Sequence, residues 1–402
     1  MLIDLDKLLI ERGIEALIVP MHEAIHPAFR WLTRGAKVTR GYAVKVPGSD
    51  PLLIAYPMER DEAAATGLQT RLIHDFGYND FFRAAPNPAA AYAAFFDRIL
   101  RECGAREVVA FVGNLPVPMY LLITELMEQQ GWRVHRGAGE DLVQLARKRK
   151  EPWEIEMIAS VGSRTEAVVE RVRRILRQSV IERDHVLYDG EVLTLGHLKR
   201  VVSHEIARLG MTEDHETIVS QGRDAGIPHS RGDAAALVRP SVPIVIDIFP
   251  ADRDSGYFFD LTRTFCIGPI PPELQRVHAD VLEAHRMAAE QMIAGTPASS
   301  YQTLVCDFFE ARGYDTARKT PSTVAGYVHS LGHGVGLDVH EKPFFGLIAS
   351  NDDVIEVGDI VTIEPVLYFP DREIGVRIED TFVVREDGRV ESLSRSDRRL
   401  AP

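Results

Sequence analysis

The stretch IVTIEPVLYFPDREIGVRIEDTFVV, residues 360–384, decides how this chain is read. Val, Ile, Thr, Tyr and Phe dominate it, which predicts two strands, 360–369 and 375–384. Each run carries a glutamate in its middle, Glu364 and Glu379. Pro365 cannot donate to a ladder and suits a strand edge or a bulge. Because strand side chains alternate, Arg377 and Glu379 share one face, and Val376 and Ile378 take the other. A carboxylate buried in a strand needs a partner.

Upstream lies VHSLGHGVGLDVH, residues 328–340, with three histidines and three glycines. Glycine at that density lets backbone come close to an ion or a ligand. His329 and His333 have the spacing of zinc helices, but no Glu follows His329 and the glycines disfavour a helix. Loop and strand are expected instead. Farther back, PIVIDIF (243–249) places Asp247 at the end of an apolar strand, and GYFFDLTRTFCIG (256–268) sets Asp260, Thr262 and Thr264 on one strand face. Thr262 is a candidate to hydrogen-bond a ligand carboxylate. Any one of these acids alone would be read as a capped turn or an ion pair. Four strand-borne carboxylates with a glycine-flanked histidine are another matter. Brought together they repel and raise one another's pKa values unless cations intervene, and two divalent cations would neutralise them. Oxygen ligands with one imidazole and no Cys suit manganese, cobalt or zinc.

These segments resemble the metallopeptidases with the pita-bread fold, the family of Xaa-Pro aminopeptidases, prolidases and methionine aminopeptidases. The resemblance implies a dinuclear centre held by Asp247, Asp260, His333, Glu364 and Glu379. It extends to His229 in GIPHS, His329, His340 in GLDVHE, Tyr368 in EPVLY and Arg377 in VRIED, and so covers roughly residues 150–390. By the same resemblance Glu364 is both ligand and acid/base, His340 and His229 hydrogen-bond the substrate or its oxyanion, and His329 lines the pocket for the residue after the cut. Tyr368 and Arg377 assist proton movement. The expected reaction is hydrolysis of Xaa-Pro peptide bonds by a hydroxide bridging two metal ions, manganese first, with cobalt and zinc as alternatives. There is one departure. The family places a glycine after its first Asp and sets its two Asp ligands closer together, whereas Ile248, Phe249 and Pro250 follow Asp247 and thirteen positions separate it from Asp260. Asp252 and Asp254 lie in the extra turn; Asp247 is kept as the ligand because it ends a strand.

The 402 residues, 45% of them hydrophobic, suffice for two domains with full cores. In residues 1–147, apolar strands alternate with helical patterns at 4–13, 88–103 and 117–130, which predicts an α/β domain, of creatinase type by the resemblance. The basic run ARKRK (146–150) and a helix start at Glu151–Pro152 mark the boundary. Residues 148–402 are then expected to form an α+β pita-bread catalytic domain. Residues 179–192, polar and without clear period, read as an insertion between helices.

A net charge of −13 disfavours nucleic acid and anionic membranes as partners. The first twenty residues look like neither a signal nor an anchor, and no apolar run reaches about 18 residues. Three widely spaced cysteines, Cys103, Cys266 and Cys306, argue for a reducing compartment, so a cytoplasmic location is expected, and the two-domain relatives imply a homodimer. The rivals to an Xaa-Pro peptidase are methionine aminopeptidase, which usually lacks such an N-terminal domain, and creatinase-like hydrolases, which work without the metals. A non-catalytic pita-bread binding module is a further alternative, but such modules have typically lost ligands. Between His340 and Glu364, Lys342 is the only cation beside five acids. A dipeptide's carboxylate needs a cation there, so peptides of three or more residues are favoured.

Overall fold

The computed structural model describes residues 2–22, 26–137, 141–348 and 352–402. The chain divides into two compact units, Met1–Arg147 and Lys148–Pro402. In the first, six strands form one mixed sheet: β1 (Ala16–His22), β2 (Arg40–Lys45), β3 (Leu52–Ala55), β4 (Gln69–Leu72), β5 (Val108–Phe111) and β6 (Arg133–His135), in the order β4-β3-β2-β1-β5-β6. The central β1 reads ALIVPMH and buries all but its last residue, the near-continuous apolar run of a strand covered on both faces. Helix Pro88–Glu102 begins where the Asn87 side chain accepts the Ala90 N–H at 2.9 Å and Pro88 takes the first turn. Its Ala89, Ala93, Phe96, Ile99 and Leu100 pack with Ile18, Tyr42, Ile54 and Val109 of the sheet. Each large apolar side chain so buried contributes about 1.5–3 kcal/mol.

The second unit opens with helix Pro152–Gln178, started by the Glu154 carboxylate accepting the Glu151 N–H at 2.9 Å. Residues 179–192, expected as an irregular insertion, instead form a three-stranded meander of β7 (Val180–Glu182), β8 (His185–Tyr188) and β9 (Glu191–Val192). Both of its turns have two central residues at positive φ, Arg183–Asp184 and Asp189–Gly190, which is the backbone that two-residue hairpins require. After helix Leu195–Arg208 come β10 (Met211–Thr212), β11 (Ile218–Gln221), β12 (Ile244–Ile248), β13 (Ala251–Asp252) and β14 (Leu261–Phe265). Strands β11, β12 and β14 make an antiparallel sheet with β12 in the middle.

Helices Pro272–Gln291 and Ala298–Ala311 then lead to β15 (His333–Gly334), β16 (Glu341–Phe344), β17 (Ile360–Ile363), β18 (Val366–Phe369), β19 (Ile374–Arg377), β20 (Asp380–Val384) and β21 (Val390–Ser392). The first of these helices buries Leu274, Val277, Val281, Ala284 and Ala288, a stripe at helical spacing. They meet Val361, Ile363, Val366, Leu367, Val376 and Ile378 in one core.

The two long strands expected at 360–369 and 375–384 are each cut in two, at Glu364–Pro365 and at Ile378–Glu379. Strands β17 and β20 belong to a five-stranded sheet, while β18 and β19 form a separate two-stranded one. The register is nevertheless the same on both sides of the cut, Ile363↔Asp380 before it and Val366↔Arg377 after it, so Glu364 stands across from Glu379. The cause lies in where the two amides go. The Glu364 N–H donates to the Leu331 carbonyl at 2.8 Å and the Glu379 N–H to the Thr262 carbonyl at 3.2 Å. Pro365 has no N–H to offer. The ladder stops where each glutamate reaches for a segment that carries another candidate ligand.

Candidate metal centre

Each functional side chain is set by a separate piece of this framework. Asp247 lies in β12, across from Ile218 of β11 and Thr262 of β14, and Asp260 directly precedes β14. His333 opens β15, in a turn squeezed against its neighbours: a Cβ at Gly332 would fall 2.2 Å from the Thr362 carbonyl oxygen, and one at Gly334 would fall 2.1 Å from that of Lys342. Only glycine fits there. The His333 N–H donates to Thr362 Oγ1 at 3.1 Å. The far end of the loop is held by a buried ion pair, Lys150 Nζ to Glu341 Oε2 at 2.8 Å, while Glu341 Oε1 accepts the Asp338 N–H at 3.0 Å.

These pieces converge on a cavity of about 220 Å³. Ligand-capable atoms of Asp260, His333 and Glu379 all lie within 4.8 Å of one another. His333 Nε2 is 3.4 Å from Glu364 Oε1 and 3.8 Å from Asp260 Oδ2. Its Nδ1 faces the Gly334 carbonyl at 3.0 Å; a carbonyl only accepts, so Nδ1 carries the proton and Nε2 turns a lone pair toward the carboxylates. The Thr262 hydroxyl donates to Glu379 Oε2 at 2.7 Å. Arg377 Nη2 meets Asp247 Oδ2 at 2.5 Å, and its Nη1 lies 3.6 Å from Glu364 Oε2.

Electrostatically this is an unbalanced pocket. Arg377 is the one Lys or Arg among the described residues lining it, against Asp247, Asp260, Glu364 and Glu379. Burial first, and then neighbouring negative charge, pushes the Asp260, Glu364 and Glu379 carboxyls well above the usual carboxylate range. Burial likewise pushes the His333 imidazole down to about 3 and that of His329 to about 4, so both rings are neutral at pH 7. Burial works against the Arg377 charge, but Asp247, Tyr368, Glu364 and Glu379 together more than offset it and hold the guanidinium well above its ordinary value. Asp247 Oδ1, Asp260 Oδ1 and Glu364 Oε1 are buried without a hydrogen-bond partner. Orphaned buried oxygens of this kind are costly. Hard oxygen donors beside one neutral imidazole are a donor set that divalent cations fit.

The sequence-predicted residues distribute as follows. Asp247, Asp260, His333, Glu364, Glu379, His329, His229, His340 and Arg377 all line the cavity. His340 and His229 are exposed at its mouth, the former with its ring 4.3 Å from that of His333 and the latter 6.1 Å from that of His329. Tyr368 is buried in β18 outside the lining, yet its hydroxyl, pushed up to about 12 chiefly by burial, feels Arg377 and Glu364. Asp252, the rival to Asp247, is committed elsewhere: it accepts the Asp254 and Ser255 N–H groups at 3.1 and 2.6 Å and pairs with Arg164 at 2.7 Å. Neither it nor Asp254 lines the cavity. Lys342 is also outside the lining, with its Nζ held by Asp353 at 2.7 Å.

Four lining residues escaped sequence reasoning: His215, Ile218, Phe249 and Val339. His215, its ring 6.3 Å from that of Phe249, sits between two ordinary acids, and the only cue was that it leads into the strand pairing with Asp247. The three apolar residues look like core in any sequence.

A family model described as metallopeptidase family M24 matches residues 156–386. The chain is 32% identical over 216 residues to the Xaa-Pro dipeptidase of Pyrococcus furiosus, a match covering 52% of this chain and 57% of that one. It is 30% identical over 254 residues to a probable dipeptidase of Mycobacterium tuberculosis, covering 62% and 60%. The chain thus spans less than two thirds of the length of the curated relatives it matches. The solved Xaa-Pro dipeptidase of Bacillus anthracis is similar with a TM-score of 0.77 at 22% identity, over 99% of this chain and 98% of that one. The prolidase of Pyrococcus horikoshii gives 0.74 at 19% identity, over 99% and 98%. At such identities the likeness concerns the fold, which is the expected α/β creatinase-type domain followed by an α+β pita-bread domain. With more than half of its residues under the family match, the chain belongs to metallopeptidase family M24.

Proposed function

We propose that the unit Lys148–Pro402 is the catalytic domain of a dinuclear metallopeptidase cleaving Xaa-Pro bonds, with Asp247, Asp260, His333, Glu364 and Glu379 as ligands and manganese as the first candidate metal. The observation that carries this reading is the set of orphaned carboxylate oxygens facing a neutral imidazole. Bound there, two divalent cations supply Lewis-acid polarisation and lower the pKa of water toward 7. The chain's own groups do the rest. Glu364, buried in the cavity wall with its Oε1 3.4 Å from His333 Nε2, accepts the proton of the attacking water and passes it to the leaving amine. His340 and His229, at the mouth, hydrogen-bond the substrate carbonyl as it becomes an oxyanion. His329 borders the space for the residue after the cut, and Arg377 holds Asp247 in place through its ion pair.

The capture of Lys342 by Asp353 favours Xaa-Pro peptides of three or more residues over dipeptides. The free cysteines accord with a cytoplasmic enzyme, and a homodimer is the assembly we expect. No helix among the described residues is long and apolar enough to cross a membrane. The test is one panel of Ala-Pro, Ala-Pro-Ala and a methionyl peptide, each assayed with manganese, cobalt and zinc. Cleavage of Ala-Pro-Ala at least as efficient as of Ala-Pro is expected. Cleavage of the methionyl peptide alone would sink the Xaa-Pro reading, and a strong dipeptide preference would reverse the length preference.

A further inference from the structure

Resting on the reading of Asp260 and Glu379 as cation ligands, we infer that Arg263 is a positioning residue: with Asp380 and the segment Ser396–Arg398, it fixes the spacing of those two carboxylates from behind the site. Arg263 lies in β14 between Thr262 and Thr264, so alternation sends its side chain to the face away from the cavity, where it is 1% exposed. A guanidinium has five N–H donors in one plane, and here five bonds match them. Nη1 donates to the carbonyls of Thr262 at 2.8 Å and Glu379 at 2.6 Å. Nη2 donates to Asp380 Oδ1 at 2.7 Å and to the Ser396 carbonyl at 2.8 Å, and Nε to the Asp397 carbonyl at 3.0 Å.

Strand β14 therefore holds the break at Glu379 from both faces. On the cavity side the Thr262 hydroxyl fixes the carboxylate; on the far side Arg263 fixes the carbonyl of the same residue. Thr381 Oγ1, donating to the Asp260 carbonyl at 2.8 Å, ties the neighbouring turn. Behind them Asp380 is fully buried, meeting Arg398 Nε at 2.5 Å and His285 Nε2 at 3.1 Å in addition to Arg263. The terminal segment is anchored in turn to helix Pro152–Gln178, where Glu166 accepts the Ser396 N–H at 2.6 Å and Arg173 Nη1 lies 3.2 Å from the Asp397 carboxylate. The break at Glu379 has left its ladder, so its position is set by these contacts and not by strand pairing. Lysine at 263 keeps a charge opposite Asp380 but offers three donors from one point. It cannot bridge the Glu379 carbonyl and the 396–397 carbonyls together.

The test compares chelator-stripped wild type, Arg263→Lys and Arg398→Gln, whose side chain is 33% exposed. Folding is checked by circular dichroism, Mn²⁺ affinity is measured by competition with a fluorescent chelator, and the visible spectrum is recorded with Co²⁺. Arg263→Lys is expected to keep the wild-type dichroism, to bind Mn²⁺ about tenfold or more weakly, as groups supporting ligands usually do when altered, and to shift the Co²⁺ bands. Arg398→Gln, which leaves Arg263 in place, is expected to weaken binding a few-fold. Wild-type affinity and spectrum in both variants, even with a lower Tm, would overturn the inference and leave Arg263 as a tie for the terminal segment. Should Arg263→Lys fail to fold, unchanged affinity in Arg398→Gln overturns it alone. A wild type that binds neither ion overturns the metal reading itself, which is a separate result.

Discussion

Asp247 and the trio Asp260, Glu364 and Glu379 line one cavity but solve the burial problem in opposite ways. Asp247 sits inside an unbroken strand and has its own counter-ion, the Arg377 guanidinium at 2.5 Å. The other three sit where ladders stop, just before β14 or in the breaks of the 360–384 hairpin, and burial pushes their carboxyls up. One side of the site is neutralised by the protein; the other is left for something else to neutralise. The lesson is that demand for cations need not be spread evenly over the acids lining one cavity. It concentrates where backbone irregularity puts carboxylates that no Lys or Arg meets at hydrogen-bond distance.

The largest expected effect follows from the unanswered side. Chelation should abolish peptidase activity, and added manganese or cobalt should restore it; full activity after metal analysis shows an empty protein would remove the asymmetry's meaning. Next, Glu364 lies between the two sides, 3.4 Å from His333 and 3.6 Å from Arg377. Glu364→Gln keeps the shape and removes the proton acceptor, so kcat should fall by about a hundredfold or more. Near-normal turnover would move the acid/base role elsewhere.

A third substitution pair sets the sides directly against each other in metal-free protein. Asp247→Asn removes the nearest counter-charge of the buried Arg377 and should destabilise by up to about 3–5 kcal/mol. Asp260→Asn removes a repelling acid and should leave Tm unchanged or raised. Asp252→Asn, outside the cavity, should alter neither metal content nor the cation response. Equal losses of Tm for Asp247→Asn and Asp260→Asn in thermal unfolding would erase the contrast.

The smallest effect is a pH slope. From about pH 4, where free carboxyls titrate, up to their raised folded values, Asp260, Glu364 and Glu379 bind more protons folded than unfolded. Metal-free stability therefore falls as pH rises. His333 and His329, held at about 3 and about 4, bind fewer protons folded than unfolded up to about pH 6.5 and oppose that fall. Above about 6.5 the two imidazoles no longer oppose the carboxyls, so Tm of stripped protein should not rise as pH is raised from there, and excess manganese should flatten any fall. A Tm that rises over that range would contradict the assigned shifts.

Most of the candidate site's lining is legible because it breaks local rules: a glutamate in the middle of a β-branched run and a histidine between glycines have no ordinary structural reason. Strand position alone separates Asp247 from Asp252 in the sequence, and the Arg164 and Ser255 contacts of Asp252 show what occupies the other acid. What stayed illegible depends on distant backbone. Nothing in residues 360–384 announces that the Glu364 and Glu379 amides turn to Leu331 and Thr262, so two long strands were expected where there are four short ones. Asp189–Gly190, by contrast, was a readable hairpin signal that the polarity of 179–192 obscured. His215 needed the β11–β12 pairing to be noticed at all.

The shared register across the broken hairpin has one more implication. Ile363↔Asp380 and Val366↔Arg377 are in step, so the gap between them is a zipper kept open from outside. Cut loose as a free peptide, residues 360–384 lose Leu331 and Thr262 as acceptors, and the two arms can run straight. Glu364 and Glu379 would then face each other as a like-charged cross-strand pair, the kind that weakens a hairpin. Such a peptide should gain strand content on acidification, and NMR contacts between positions 364 and 379 should appear with it. A peptide equally unstructured at pH 3 and pH 7 would mean that the kink is written into the segment itself and not imposed by its neighbours.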